Sequence, residues 1–238
     1  MENYILNFIG IETNEERFNH YYFNGTKTLK NLLNITSSEE LKKVETSFVS
    51  LNYKKVKNIQ KTFDFQHIQS IHSILFGDIY PFAGQLRQAN MGKTAMGETY
   101  YDQQKTMFMD YKEIPYHIRF FDSYMQSKNN LAGISDKCKF AKEICEVYLF
   151  INDIHAFREG NGRTQNEFIR QLAEENGYIL DIQSIMDKYK QQGVNYYRWF
   201  YDYQKTGNKE NILNNLFLEP IKTVAEYKLE LRKKIVLE

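Results

Sequence analysis

The sequence predicts an all-α fold interrupted by one short β-hairpin, and three observations carry that prediction. Only three prolines, at positions 81, 115 and 220, and 12 glycines punctuate the 238 residues, leaving long stretches free of helix breakers. Apolar residues recur at helical spacing, as in Phe140, Ile144, Val147, Tyr148 and Ile151. One stretch, PFAGQLRQANMGKTAMG from Pro81 to Gly97, breaks the rhythm with three glycines and suits a hairpin or irregular loop.

Taken in order, the first 35 residues hold turn signals at Asn24-Gly25 and at Asn34, Ile35 and Thr36, and read as irregular chain. Ser37 or Ser38 then caps a helix through SEELKKVETSF, whose first turn carries acids. Asp64 opens DFQHIQSIHSILFGD, with Ile68, Ile71, Ile74 and Leu75 on one face. The hairpin follows, with Gly92-Lys93 as the step between its segments, and is expected to be the only non-helical insert. A helix around Pro115 comes next, and Ser135 or Asp136 begins KCKFAKEICEVYLFIND, which runs straight into His155. RTQNEFIRQLAEENG is helical up to a stop at Gly177. From Asp181 to Glu238 further amphipathic helices are expected, the last, TVAEYKLELRKKIVLE, as a separate arm.

This length suffices for one sizeable domain, or one domain with a small appendage, without disulfide staples. An aromatic content of 15%, charged residues at 26% and a mean hydropathy of −0.60 describe a folded rather than a disordered chain. A net charge of +1 provides no whole-protein field for nucleic acid or an anionic membrane, so neither is expected as a partner and an anionic ligand must be caught locally. Cys138 and Cys145 lie seven residues apart in one helical pattern, with Cα atoms roughly 10 Å apart. They read as reduced core residues of a cytoplasmic protein. The opening MENYILNFIGIETNEERF lacks the basic and long apolar regions of a secretory leader, and no segment approaches the ~20 apolar residues of a membrane span.

The chemistry concentrates in HAFREGNGRTQNEF, from His155 to Phe168. As a loop joining two helices, Gly160, Asn161 and Gly162 can aim successive N–H groups at one point at the mouth of the second helix. The positive end of that helix and Arg163 in its first turn suit phosphate oxygens. Glu159 would repel phosphate unless it held a cation, which points to Mg²⁺ bridging the carboxylate and the phosphates. His155 can accept a proton at neutral pH beside a bound phosphorus, and Phe157 points the other way as a core anchor.

His155, Phe157, Glu159, Gly160, Asn161, Gly162 and Arg163 resemble the signature of Fic-domain proteins, HPFxxGNGRxxR with an acid at the second x. NGTKTLKN, YPFAGQLR and GRTQNEF extend the resemblance over residues 10 to 215, toward the bacterial toxin and secreted-effector type. The resemblance implies a Fic-type helical bundle with a β-hairpin flap, in a Fic domain over residues 1–215 followed by a helical extension over 216–238. It implies a protein adenylyltransferase, a nucleotidyltransferase that performs AMPylation by moving AMP from ATP to a Ser, Thr or Tyr hydroxyl of a target protein. By carry-over, His155 is the general base and Glu159 holds Mg²⁺. Gly160, Asn161, Gly162, Arg163 and Asn166 surround the phosphates. The flap residues Gln88, Ala89, Asn90, Met91, Gly92, Lys93 and Thr94 dock the target as an added strand. The type works in its own cytoplasm or is delivered into another cell.

Two departures matter. Ala156 stands where the family has Pro. Asn166 stands where the family has a second arginine for the γ-phosphate, and one missing charge-assisted contact is worth ~1.5–3 kcal/mol. Arg170, one turn on, is expected to face solvent rather than compensate. TGNKEN from Thr206 to Asn211 matches the letters of the family's inhibitory helix, but its Gly and Asn suit a turn, so it reads as coincidental and leaves room for a separate antitoxin. His67 and His72 are off the i, i+4 spacing of helical metal pairs and read as ordinary. VNYYRWFYDYQ reads as core and partner-packing material. Beside AMP transfer stand two alternatives: transfer of another phosphate-containing group, and a weak module that only binds nucleotide or a partner.

Overall fold

The computed structural model describes residues 6–101 and 108–237. The first five residues and Glu238, at the ends of the two expected spans, lie outside them. The chain order is α1 (Asn14–Asn19), α2 (Ser38–Val56), α3 (Phe65–Phe76), β1 (Gly92–Lys93), β2 (Thr99–Tyr100), α4 (Ile114–Ser127), α5 (Lys137–Ile154) and α6 (Asn161–Glu175). Then come β3 (Tyr178–Ile179), α7 (Ile182–Gln191), α8 (Tyr197–Thr206), α9 (Glu210–Ile212) running into a π-helical turn Leu213–Leu218, β4 (Lys222–Thr223) and α10 (Val224–Leu237).

Local chemistry explains the helix starts. The side chains of Ser37, Asp64 and Asp136 each accept the N–H three residues on, of Glu40, His67 and Lys139. The first 35 residues are not wholly irregular. Thr13 and Glu16 close a reciprocal capping box that starts α1, a signal that TNEERF carries in plain letters. The helix begun at Ser38 runs on to Val56, because nothing between Phe48 and Val56 breaks it.

The interior is built on α3, α5 and α6. α3 packs on α2 and α6, and α5 packs on α6 and on the turn 213–218. Ile71, Leu75, Phe140, Ile144, Phe168 and Leu172 are fully buried there, each worth ~1.5–3 kcal/mol of transfer free energy. The expected α5 stripe faces this core, Cys145 with it, whereas Cys138, in the first turn of α5, is exposed.

The hairpin is shifted from its expected register. Gly92 and Lys93 are not the turn but the first strand, paired antiparallel with Tyr100 and Thr99, and the turn is residues 94–97. Gln88 to Met91 lead into the flap rather than forming its strands. Nor is the hairpin the only non-helical insert, since β3 pairs with β4. Leu216 and Phe217, near the expected boundary at 216, are buried against the body, and the chain leaves the core at Val224. Among the described residues no helix is long and apolar enough to cross a membrane.

Candidate active site

The loop between α5 and α6 is held in shape by its own residues. His155 ends α5 in the left-handed region, φ 43°, a conformation that costs a non-glycine residue ~1–2 kcal/mol. Gly160 precedes α6 at φ 78°, and a Cβ there would stand 2.4 Å from the ring of Phe76. Only glycine satisfies both conditions. Between them, Phe157 is buried and stacks on His72 at 3.9 Å and on Phe65 at 6.2 Å, as its anchoring role requires.

Asn161 closes the loop. Its Oδ1 accepts the N–H of Phe157 at 2.9 Å and its Nδ2 donates to the Phe157 carbonyl at 2.6 Å. The side chain is therefore used up as a clamp, and what Asn161 presents outward is its backbone. Because Gly160 has no side chain to cap α6, the N–H groups of Asn161, Gly162 and Arg163 have no partner among the described residues. A Cβ at Gly162 would meet nothing within 4 Å, so the mouth of α6 is open beside that residue. This space is a cavity of about 560 Å³ lined by His155, Glu159, Gly162, Arg163, Asn166 and the flap residue Lys93.

His155 is buried and lies flat on Phe108, ring centres 3.6 Å apart. Burial pushes its pKa well below the ordinary histidine range, and the charges of Lys93, Arg87 and Arg158 push the same way against the Asn152 backbone. The imidazole is thus neutral and able to take a proton. For Glu159, burial favours the neutral acid, but Lys93, Arg163 and the Gly160 N–H outweigh it and hold the carboxyl below its usual range. One Glu159 oxygen accepts that N–H at 3.0 Å and lies 3.7 Å from Arg163 Nη2. Arg163 also pairs with Glu45 of α2, which accepts the hydroxyl of Tyr80, and its guanidinium sits 4.7 Å above the Phe76 ring.

Asn166 is 4% exposed and tied into a neutral cluster: Tyr148 donates to its Oδ1 at 3.3 Å, and its Nδ2 donates to Gln183 at 2.9 Å. Arg170 does not face solvent freely; it pairs with Glu167 and Glu174. TGNKEN is no helix: α8 ends at Thr206, Gly207 turns at φ 74°, and α9 begins at Glu210.

Several residues that sequence reasoning passed over support the site. His72 Nδ1 accepts the Gly84 N–H and its Nε2 reaches the Glu159 carbonyl, both at 2.8 Å, so this histidine braces the loop. Arg158, the first x of the motif, is buried with its guanidinium 4.5 Å above Phe18 and bonded to the Tyr22 hydroxyl. Tyr196, Tyr197, Phe200 and Tyr201 line the cavity, and no residue of α8 is fully buried, although Tyr196, Trp199, Phe200 and Tyr203 pack against the core. Their helical spacing was visible, but nothing in it distinguishes a cavity wall from a core stripe. Among the described residues no group of three His, Cys, Asp or Glu that could hold a metal ion exists, and of the acids lining the cavity Glu159 is the one on the loop.

The Fic/DOC family matches residues 62–173, which contain the whole loop. The chain is 34% identical over 158 residues to the protein adenylyltransferase VbhT of Bartonella schoenbuchensis, covering 66% of this chain and 31% of that protein, so it spans under a third of that relative's length. It is 32% identical over 164 residues to the probable protein adenylyltransferase y4lH of Sinorhizobium fredii, covering 69% of this chain and 80% of that one. The fold resembles the crystal structure of BepC, a VirB-translocated effector of Bartonella tribocorum with bound AMPPNP. The TM-score there is 0.67 at 22% identity, over 86% of this chain and 97% of that one. With its loop inside the matched segment and a relative of this identity matched over most of its length, the chain belongs to the Fic/DOC family.

Proposed function

We propose that the chain transfers AMP from ATP to a hydroxyl of a target protein, releasing pyrophosphate. The observation that carries the reading is the conjunction on one loop of a buried neutral histidine with three unpartnered N–H groups at a helix mouth. His155 accepts the proton of the incoming hydroxyl. The N–H groups of Asn161, Gly162 and Arg163 bind phosphate oxygens, and Arg163 adds its charge. Glu159, charged and with no acidic cluster around it, fits a Mg²⁺ ion shared with the phosphates, which when bound neutralises part of their charge. The adenylyltransferase names of the relatives and the AMPPNP in the BepC structure support nucleotide as the donor.

The target protein docks along the flap by adding a strand to it. By the effector status of BepC, delivery into another cell fits this chain as well. Incubation with target extract and ATP labelled at the α- or the γ-phosphate tests the reading. Label from the α-position on protein is expected and should vanish in His155→Ala. Label from the γ-position would mean phosphorylation, and nucleotide binding without transfer would leave only a binding module.

A further inference from the structure

Position 166 lacks the charge that would hold a distal phosphate, and the other arginines near the loop are engaged. Arg163 shares its charge with Glu45 and Glu159, Arg158 is spent on Tyr22 and the Phe18 ring, and Arg170 on Glu167 and Glu174. The flap supplies a cation of another kind. Met91, just before β1, and Lys93, two residues on, both line the cavity, and so does Thr99, which pairs with Lys93 across the hairpin. Alternation along a strand puts these side chains on the face turned toward the motif loop.

This face is fixed in place at both ends. At the base, the Met91 carbonyl accepts the Phe108 N–H at 3.1 Å, and Phe108 is the ring that covers His155. At the tip, Asn195 donates to the Ala95 carbonyl at 2.9 Å, and Tyr197 packs so close to Gly97 that a Cβ there would lie 2.8 Å from its ring. The nearby acids Glu45 and Glu159 pair closely with Arg163 rather than with Lys93, whose charge acts on Glu159 and His155 from further off. A cation so placed beside an anion site suits a phosphate oxygen.

We propose that Lys93 is a ligand of the nucleotide phosphate lying between His155 and Glu159, adding from the flap a positive charge to a site that lacks one at position 166. The inference rests on the nucleotide-transfer reading and deepens it, moving Lys93 from the target-docking side of the flap to the nucleotide side. Lys27, Lys42 and Lys190 also line the cavity, but Lys93 is the lysine on the hairpin face with Met91 and Thr99, and that face is bonded at Met91 to Phe108, the ring on His155. The outer edge of the hairpin is left to the target.

The test is equilibrium binding of ATP and, as a phosphate-free probe, of adenosine, to the full chain and to Lys93→Met and Lys93→Arg. Lys93→Met should weaken ATP on the order of tenfold to a hundredfold while changing adenosine by less than about twofold. Lys93→Arg should restore ATP to within roughly threefold of the native chain. Unchanged ATP affinity in Lys93→Met, with a raised KM for the target protein, would assign the lysine to docking and overturn the proposal. Equal losses for ATP and adenosine would also overturn it, since the side chain would then only be shaping the flap. If the unaltered chain binds no ATP at all, the transfer reading itself fails, a result distinct from either.

Discussion

The Nε of Arg87 donates to the backbone carbonyl of His155 at 2.8 Å, and the same guanidinium reaches the carbonyls of Ala89, Met109 and Ile154. Arg87 is completely buried, and its own N–H donates to the Ala156 carbonyl. One side chain thus ties the left-handed turn at His155 to the base of the flap and to the segment that follows it. Burial lowers the pKa of this guanidinium to about 10, against the influence of Tyr21 and Asp110.

Arg87→Met should therefore be strongly destabilising, by ~3–5 kcal/mol, because it strands buried carbonyls in three segments at once. Arg87→Lys keeps the charge but not the planar fork that spans those segments, and should recover less than half of the loss. Urea unfolding of the three proteins measures this. Near-native stability in Arg87→Met would mean that water or backbone movement satisfies the carbonyls instead.

Glu45 pairs with Arg163 across 118 positions of sequence, and both line the cavity. Glu45→Gln keeps one acceptor oxygen for Arg163, lets the Tyr80 hydroxyl accept from the new amide instead of donating, and deletes a negative charge next to the proposed phosphate site. ATP affinity should rise roughly tenfold at low salt, with a smaller gain at high salt. Titration with ATP at two ionic strengths decides it, and a fall in affinity would show that the carboxylate is needed to aim the guanidinium.

Asn166→Arg restores the family's charge but must displace the contacts to Gln183 and Tyr148. The expected outcome is divided: ATP bound on the order of tenfold more tightly, and stability lowered by ~1–3 kcal/mol from overpacking. Calorimetric binding and thermal unfolding read the two halves separately. No gain in ATP affinity would indicate that the neutral cluster is matched to a different donor.

His67, His72 and His155 are all buried with pKa values lowered mainly by burial, His72 to about 4. Each therefore binds its proton more weakly folded than unfolded. Stability is complete above about pH 6.5 and is lost as pH falls from there toward about 4, with His72 alone worth roughly 3 kcal/mol. Asp153 acts in the opposite sense. Burial raises it to about 6 against its bond to Tyr203, so its protonated form stabilises the fold at low pH and that contribution fades as pH rises through 6. Three groups against one should make Tm fall between about pH 6.5 and pH 4.5. A flat or rising Tm in that window would contradict the buried neutral state of the histidines.

What the sequence disclosed about the site follows a physical divide. The caps Ser37, Asp64 and Asp136 and the loop from His155 to Arg163 were legible because their function depends on near neighbours: a side chain three residues away, or N–H groups in one turn. Glu45, Arg87 and His72 were not, since each acts on a partner far along the chain, brought close only by packing. The strand register of the flap was lost for a related reason. Two residues per strand are too few for alternation to show, and Gly92 reads as a turn until Tyr100 is seen opposite it. Asn166 was noticed as a missing charge, but its neutral cluster with Gln183 came only with the fold.

α8 lies between left-handed glycines at 193 and 207 and buries none of its own residues. Its partly buried rings Trp199, Phe200 and Tyr203 rest on the core, and the bonds of Tyr203 to Asp153 and of Asn195 to the hairpin tip add to their hold. The wall of the cavity that carries Tyr197 and Phe200 is therefore held by fewer fully buried side chains than α3, α5 or α6, and its amides should exchange with solvent sooner than theirs.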